Sequence, residues 1–459
     1  MVPHLAVTSL LPAAADPVAV NAGDAAWILA SSALVLLMTP GLAFFYGGLT
    51  RAKSTLNMMM MSFFTIFIVT VLWALFGFNM AFASSGGSGF VGDFSFKGLS
   101  QAALANVEFF GTGDGIPVIV FAAFQLMFAI ITPALISGAI ADRTKFLSWS
   151  IFVTLWVIVV YFPVAHWVFD FGLLGGTKGW LAGLGVEDFA GGTAVHINAG
   201  AAGLALCIVL GRRIGFRRNP MRPHNVTLVL LGAGLLWFGW FGFNAGSALA
   251  ANGLAGLAFM NTQVATASAL GGWLLVEKLR DGKPTSVGAA SGAVAGLVAI
   301  TPACAFITPG ASIVLGVLVG AICAMAVGLK YKLGYDDSLD VVGVHLVGGI
   351  VGTLFVGLFS TTSVNSLAVD GLFYGGGLTL LGKQALGAVA VLAYSFVVAF
   401  ILGTIIEKTI GFRVSEDAEV EGIDVNEHAE SAYEFDMQSS SGAIPSGHLA
   451  TATSQEVHA

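Results

Sequence analysis

Charge is scarce in this sequence. Asp, Glu, Lys and Arg make up 10% of its 459 residues, and hydrophobic residues make up 56%. A soluble domain carries roughly 25% charged residues, so an ordinary globular protein is excluded. Cysteine is scarcer still. Cys207, Cys304 and Cys323 are scattered through apolar stretches, and an odd number at such spacing suits neither a disulfide framework nor a zinc site. They read as small packing residues. Both ends lack basic residues, with none before Arg51 and none after Arg413. A secretory leader normally opens on a basic segment, which argues against cleavage of the first residues. Ten acidic residues follow Arg413, so the net charge of −7 belongs to the tail; the rest carries nineteen basic against sixteen acidic residues. No GxxxxGK[ST] loop, HExxH helix or Cys/His cluster occurs. No cofactor, metal or nucleic-acid partner is expected.

What the chain has in quantity is apolar runs of helical length. They fall near 27–49, 55–83, 116–140, 146–168, 190–210, 226–250, 261–279, 285–304, 310–330, 340–359 and 378–409. At 1.5 Å per residue each is long enough for a ~30 Å hydrocarbon core. The predicted fold class is therefore an all-α polytopic membrane protein with eleven transmembrane helices, the last long enough to tilt or project. Alternate connections starting from Arg51 and Lys53 hold sixteen of the nineteen basic residues; only Lys97, Lys178 and Lys383 lie on the other side. Basic loops stay in the cytoplasm, which places the N-terminus outside, the C-terminus inside and the chain in the cell membrane.

The stretch that organises the rest is Asp188–Gly200, DFAGGTAVHINAG, with His196 inside an apolar helix. DSLDVVGVHLV, from Asp337 to Val347, repeats the arrangement: His345 follows Asp337 by eight residues, as His196 follows Asp188. Ionisable groups at membrane depth are costly and face a cavity or one another. Five helices separate the copies, so they run in opposite directions. That is an inverted five-plus-five repeat followed by a final long helix, with the substrate path at the repeat interface. Eight residues put each histidine ~12 Å from its own face, leaving ~6 Å between them in a ~30 Å slab.

Aromatic residues mark the approach. Trp240, Phe243, Asn244 and Ser247 share one face of the sixth helix, and Phe124 and Phe128 recur on the third. Running the two helices in opposite directions gives one order of depth: Phe124 near Ser247, Phe128 near Phe243, then the histidines. The loop Gly211–Arg222 is strongly basic, as orientation and contact with anionic lipid require.

These motifs are identifiable. PGLAFFYGGL, FQLMFAIITPAL, DFAGGTAVHINA, WFGFNAGS, DDSLDVVGVHLVGGIVG and GFRVSEDAEVEGIDVNEHAESAY occur in order, and the chain resembles the ammonium transporter family (Amt/Mep, related to the Rhesus proteins) over roughly residues 24–433. The resemblance implies a homotrimer with one pore per subunit and ammonium or ammonia as substrate. It further implies a phenyl gate at Phe128 and Phe243, a twin-histidine pore at His196 and His345, and a supporting acid at Asp188. Ser247, Phe124, Phe169 and Trp240 are the candidate substrate contacts. Phe169 in AHWVFDFG stands where many members have a Trp, and Trp167, about 200° round a helix, does not replace it. A PII-type signalling protein is implied at the inner mouths. The expected organisation is an extracellular segment at 1–23, the transporter domain at 24–410, a cytoplasmic regulatory tail at 411–433 and an unstructured extension at 434–459. Competing readings are a channel for another small solute such as CO2, water, potassium or methylammonium, an ammonium sensor, and an intramembrane enzyme built on the histidine pair with His166 or Cys207.

Overall fold

The computed structural model describes residues 19–433 apart from 84–87, 94–98, 100–105, 109–113, 175 and 219–220. The proposed N-terminal segment up to residue 18 and the extension from 434 onward lie outside the described residues.

Helices occupy all eleven predicted runs. They are α1 (Ala22–Leu49), α2 (Ala52–Phe82), α3 (Val118–Ile140), α4 (Phe146–Phe169), α5 (Gly192–Leu210), α6 (Val226–Gly246), α7 (Gly253–Asp281), α8 (Ser286–Ile300), α9 (Pro309–Leu333), α10 (Val342–Phe359) and α11 (Thr379–Thr409). Among the described residues nine are long and apolar enough to cross a membrane. The other two are α7 and α8. Polar Asn261, Thr262 and Thr266 are buried inside α7, which ends on a charged turn. Fifteen-residue α8 reaches only ~22 Å, although turns continue it through residue 306. One departure from the all-helical expectation is a small sheet, β1 (Ala19–Val20), β2 (Asn106–Glu108) and β3 (Asp114–Pro117), in the order β1-β3-β2. It ties the start of α1 to the start of α3.

The two sets of five helices pack alike. α1 touches α3 as α6 touches α8, α2 touches α3 as α7 touches α8, and α2 touches α4 as α7 touches α9. The sets join chiefly where α1 lies along α6, and α11 lies along α5. The pseudo-repeat extends to a local irregularity. α5 begins with a π-helical turn, Gly192–Ile197, and α10 with another, Val342–Leu346. Each contains its histidine. Such bulges widen a helix by one residue and redirect a side chain, which is why they gather at functional sites.

The C-terminal tail folds back onto the helix ends as α12 (Glu416–Glu421) and α13 (Ile423–His428). Gly422, at φ 136°, turns the chain between them, a conformation other residues seldom adopt. Phe412, Val414 and Ile423 are buried anchors. Val420 and Val425, apolar residues spaced among the acidic ones like those anchors, are 58% and 55% exposed. The short helices turn those two outward while their neighbours take the hydrogen bonds. The Asp424 carboxylate accepts from the backbone N–H of Leu56 (3.0 Å) and Asn57 (2.8 Å), and Glu427 accepts from Phe146 N–H (2.8 Å). These cap the first turns of α2 and α4, where donors have no helical partner. Burial raises the Asp424 carboxyl above the usual carboxylate range. The acidic tail and the basic loop Gly211–Arg222 lie on one face, yet their charges scarcely pair among the described residues. Glu419 pairs with Arg413 of the tail itself (2.6 Å), and among the described residues the loop contributes to it the Ile214 N–H (2.7 Å). Arg213 is drawn instead to Asp336 (2.6 Å).

Candidate functional site

Asp188 and Asp337 explain how the two histidine helices start. The Asp188 carboxylate accepts from the backbone N–H groups of Gly191 (2.8 Å), Gly192 (2.7 Å) and Thr193 (2.8 Å), and from the Thr193 hydroxyl. Asp337 does the same for Val341 (3.0 Å) and Val342 (2.8 Å). A carboxylate there satisfies orphan donors and complements the positive end of the helix dipole. The equal spacing from acid to histidine in the sequence is thus a capping distance.

The histidines meet. His345 Nδ1 and His196 Nδ1 are 3.2 Å apart, with the rings nearly parallel at 20° and 5.3 Å between centroids. The ~6 Å gap expected from helix geometry is closed, and two glycines show how. Gly200, four residues after His196, lies so close to α10 that a Cβ on it would fall 2.6 Å from the Leu346 backbone N. Gly349, four residues after His345, would place a Cβ 3.2 Å from His196 Cβ. Each helix is notched one turn past its histidine, opposite the other helix's histidine turn.

One nitrogen remains. His196 Nε2 is buried and has no hydrogen-bond partner among the described residues. A buried polar atom left without a partner is uncommon and points to a ligand or water. With Nδ1 facing Nδ1, one ring donates and the other accepts, so the two Nε2 atoms present one lone pair and one N–H.

Above the pair stand the aromatic rings. The Phe128 and Phe243 rings are 4.3 Å apart, Phe124 packs edge-on against Phe128 at 4.9 Å, and Phe243 lies 6.2 Å from the His196 ring. All three phenylalanines are buried. Beyond them a cavity of about 360 Å³ opens, lined by Phe128, Phe169, Asp188, Ser247 and Gln125 among others. The Ser247 hydroxyl donates to Phe243 O at 2.8 Å, which leaves its oxygen lone pairs free to accept. On the other side of the histidines a pocket of about 30 Å³ is bounded by Phe45, Tyr46, Asp340 and His345.

Two predicted contacts lie elsewhere than this cavity wall. Phe124 reaches the site through Phe128. Trp240 lies at the level of the histidines, stacked on His196 at 5.3 Å and 18°, with its N–H donated to Thr301 Oγ1 at 2.8 Å. Trp167 is engaged away from the cavity, donating to Phe90 O (2.7 Å) and packing on Tyr394 and Trp180. Phe169 is therefore the aromatic residue that α4 contributes to the cavity wall.

Sequence reasoning missed Gln125, Asn365 and Glu187 on this wall. Gln125 sits between two recognised phenylalanines, so its polarity within FQLMF was the available signal. Glu187 adjoins Asp188 yet serves the opposite purpose. It holds the connection after α10, accepting from Ser360 Oγ (2.8 Å) and Val369 N–H (2.6 Å). Burial pushes its carboxyl up to about 7.

Comparison with known proteins decides the family. Residues 26–433 match the Ammonium Transporter Family. The chain belongs to that family. It is 56% identical over 447 residues to an ammonium transporter of Mycobacterium tuberculosis, covering 93% of each chain. It is 46% identical over 416 residues to that of Bacillus subtilis, covering 90% of this chain and 99% of the relative. Among solved structures, Mep2 of Saccharomyces cerevisiae superposes with a TM-score of 0.76 at 35% identity, covering 86% of this chain and 91% of that one. This is a family of transporters rather than enzymes, and the chain is a multi-pass membrane protein of ammonium transport.

Proposed function

We propose that this protein takes ammonium from an outer vestibule and passes it inward as NH3. Eleven spans cross the cell membrane, with the N-terminus outside and the C-terminus inside. The cation is received where the Ser247 hydroxyl offers an acceptor beside the Phe169 and Phe128 rings, whose faces attract positive charge. Asp188 supports this region through the helix it caps and has its carboxylate fully occupied by that helix. Size does not separate ammonium from potassium; directional N–H donors and a removable proton do.

Past Phe128 and Phe243 the surroundings are apolar, and an unpaired cation there costs too much. The travelling species is therefore neutral. The proton that ammonium gives up in the vestibule moves separately, either to the outer water or along the histidine pair. A current on adding ammonium reports the second route. His196 and His345 supply the rail of one acceptor and one donor that NH3 needs, with Trp240 backing the His196 ring. The observation that carries this reading is the buried Nε2 of His196, without a hydrogen-bond partner among the described residues, behind the Phe128 and Phe243 rings, which meet at 4.3 Å and a tilt of 45°. The subunits form a homotrimer with one path each, and the docked tail is the surface for a PII-type regulator.

The test is current and uptake in proteoliposomes on addition of ammonium, methylammonium or potassium. Responses to the first two without potassium flux support the reading; equal potassium flux overturns it.

A further inference from the structure

On the face that carries the tail, a cavity of about 800 Å³ shares no lining residue with the vestibule or with the small pocket at His345. It is ringed by the ends of several spans: Arg51 after α1, Asp142 after α3, Arg213 and Arg217 after α5, and Tyr331 near the end of α9. Glu419 and Val420 of the tail complete the wall. Five cationic side chains line it, Arg51, Lys53, Arg213, Arg217 and Arg222, against two acidic ones. Both acids are held by donors: Glu419 by Arg413 and Ile214 N–H, and Asp142 by Arg51 at 3.2 Å. Much cationic capacity is left over. Among the described residues Arg222 forms no hydrogen bond or ion pair, and Arg217 donates only to Tyr331 O.

Two more observations narrow what fits. Phe216 and Tyr331, both on the wall, stack at 5.7 Å and 17°, and Tyr331 is 48% exposed. The buried Asp142 Oδ1 takes no hydrogen bond among the described residues, so the cavity also lacks a donor. A phosphate chain would answer the arginines and draw Arg217 from its place over the Phe216 ring at 5.8 Å, a hydroxyl would answer Asp142, and a flat ring would take that place on the Phe216–Tyr331 stack. The volume lies within the range of ligand pockets, roughly 300–1,000 Å³. We infer that this cavity binds a nucleoside di- or triphosphate. An anionic lipid headgroup supplies phosphate too, but it would approach from the membrane rim, whereas the wall of this half-open cavity is made of span ends, loop and tail. Because Glu419 and Val420 form one wall, an occupant bridges the tail to the loop after α5.

The experiment uses the full-length protein in nanodiscs of zwitterionic lipid, titrated with ATP, ADP and tripolyphosphate. Saturable ATP binding is expected. Arg217→Gln combined with Arg222→Gln should weaken it at least about tenfold, since two charge-assisted contacts are lost, and Tyr331→Leu should weaken ATP but not tripolyphosphate. Both arginines are exposed, and size exclusion confirms that the assembly survives. Lys283→Gln, a cation on another connection, should leave binding unchanged. Three results overturn the inference: no ATP binding at millimolar concentration and low salt, equal affinity for ATP and tripolyphosphate, or binding confined to nanodiscs containing anionic lipid.

Discussion

His196 and His345 face each other Nδ1 to Nδ1 at 3.2 Å, each eight residues beyond an aspartate that caps its own helix. The pair depends on both caps, both π-helical turns and the glycine notch after each ring. Replacing either histidine by Leu removes half of the polar rail and keeps the volume in an already apolar place. Methylammonium uptake by His196→Leu or His345→Leu is expected to fall about tenfold or more, the effect of losing one buried hydrogen-bonding partner, while the protein still folds. Wild-type uptake in both variants would falsify the shared path.

Gly200 tests the notch itself. A methyl group there meets the Leu346 backbone at 2.6 Å, so α5 and α10 must separate at the level of the rings. Gly200→Ala should cost about 1–3 kcal/mol, as overpacking does, and should reduce uptake although no hydrogen-bonding group has changed. Gly256→Ala provides the control, because a Cβ there meets nothing within 4 Å. If thermal melting and uptake of the two variants match, the notch does not set the histidine contact.

The proposed outer recognition site is formed by Ser247 and Phe169, which both line the cavity beyond the phenyl rings. Ser247→Ala and Phe169→Leu are expected to raise the ammonium concentration needed for half-maximal uptake more than they lower the maximal rate. Both belong to a step that the proposal places before the Phe128 and Phe243 rings. Phe169→Trp should tighten binding, by up to ~1 kcal/mol for a better cation–π face. An unchanged or weaker apparent affinity would show that Phe169 does not meet the cation.

Much of this was legible in the sequence because membrane constraints are severe. Apolar runs must be helices, loops sort by charge, and a histidine in an apolar helix needs a reason. What escaped the sequence depends on where chains meet. Trp240 shares a helix face with Ser247, yet a face spanning seven residues runs from the vestibule to the histidines, so the two serve different depths. Val420 and Val425 look like anchors by composition, but the turn at Gly422 exposes them. Glu187 reads as a second copy of Asp188 until residues 360 and 369 are folded beside it.

That placement of Glu187 has a pH consequence. Its carboxyl is raised to about 7 from the ordinary 4.5, first by burial and against the hydrogen bonds from Val369 and Ser360. A raised carboxyl means that the folded state binds the extra proton, so stability falls as pH rises from about 4.5 to about 7. A tenfold change in proton affinity is worth roughly 1.4 kcal/mol. With the remaining exposure of the group allowed for, the loss is expected to be about 2 kcal/mol. Glu187→Gln cannot ionise and should flatten that part of the profile, melting higher than the wild type at pH 8 and alike at pH 5. Parallel melting profiles across this range would remove Glu187 as the cause.

The tail offers the last test. Asp424 caps α2, Glu427 caps α4, and His428 Nε2 lies 3.0 Å from Asn57 Oδ1. Further on, the Tyr433 hydroxyl lies 2.8 Å from His224 Nε2. These contacts reach the ends of α2 and α4 and the segment before α6, so the tail reports on helices from both halves of the repeat. Asp424→Ala should destabilise the protein by about 1 kcal/mol through the lost cap. A chain ending at Tyr433 retains every contact described and should transport normally. A chain ending at Arg413 loses them all, leaves Arg413 without Glu419, and should transport less while still assembling with its copies. Full uptake by the shorter chain would return residues 414–433 to a solvated appendage, whereas loss of assembly would make them structural rather than regulatory.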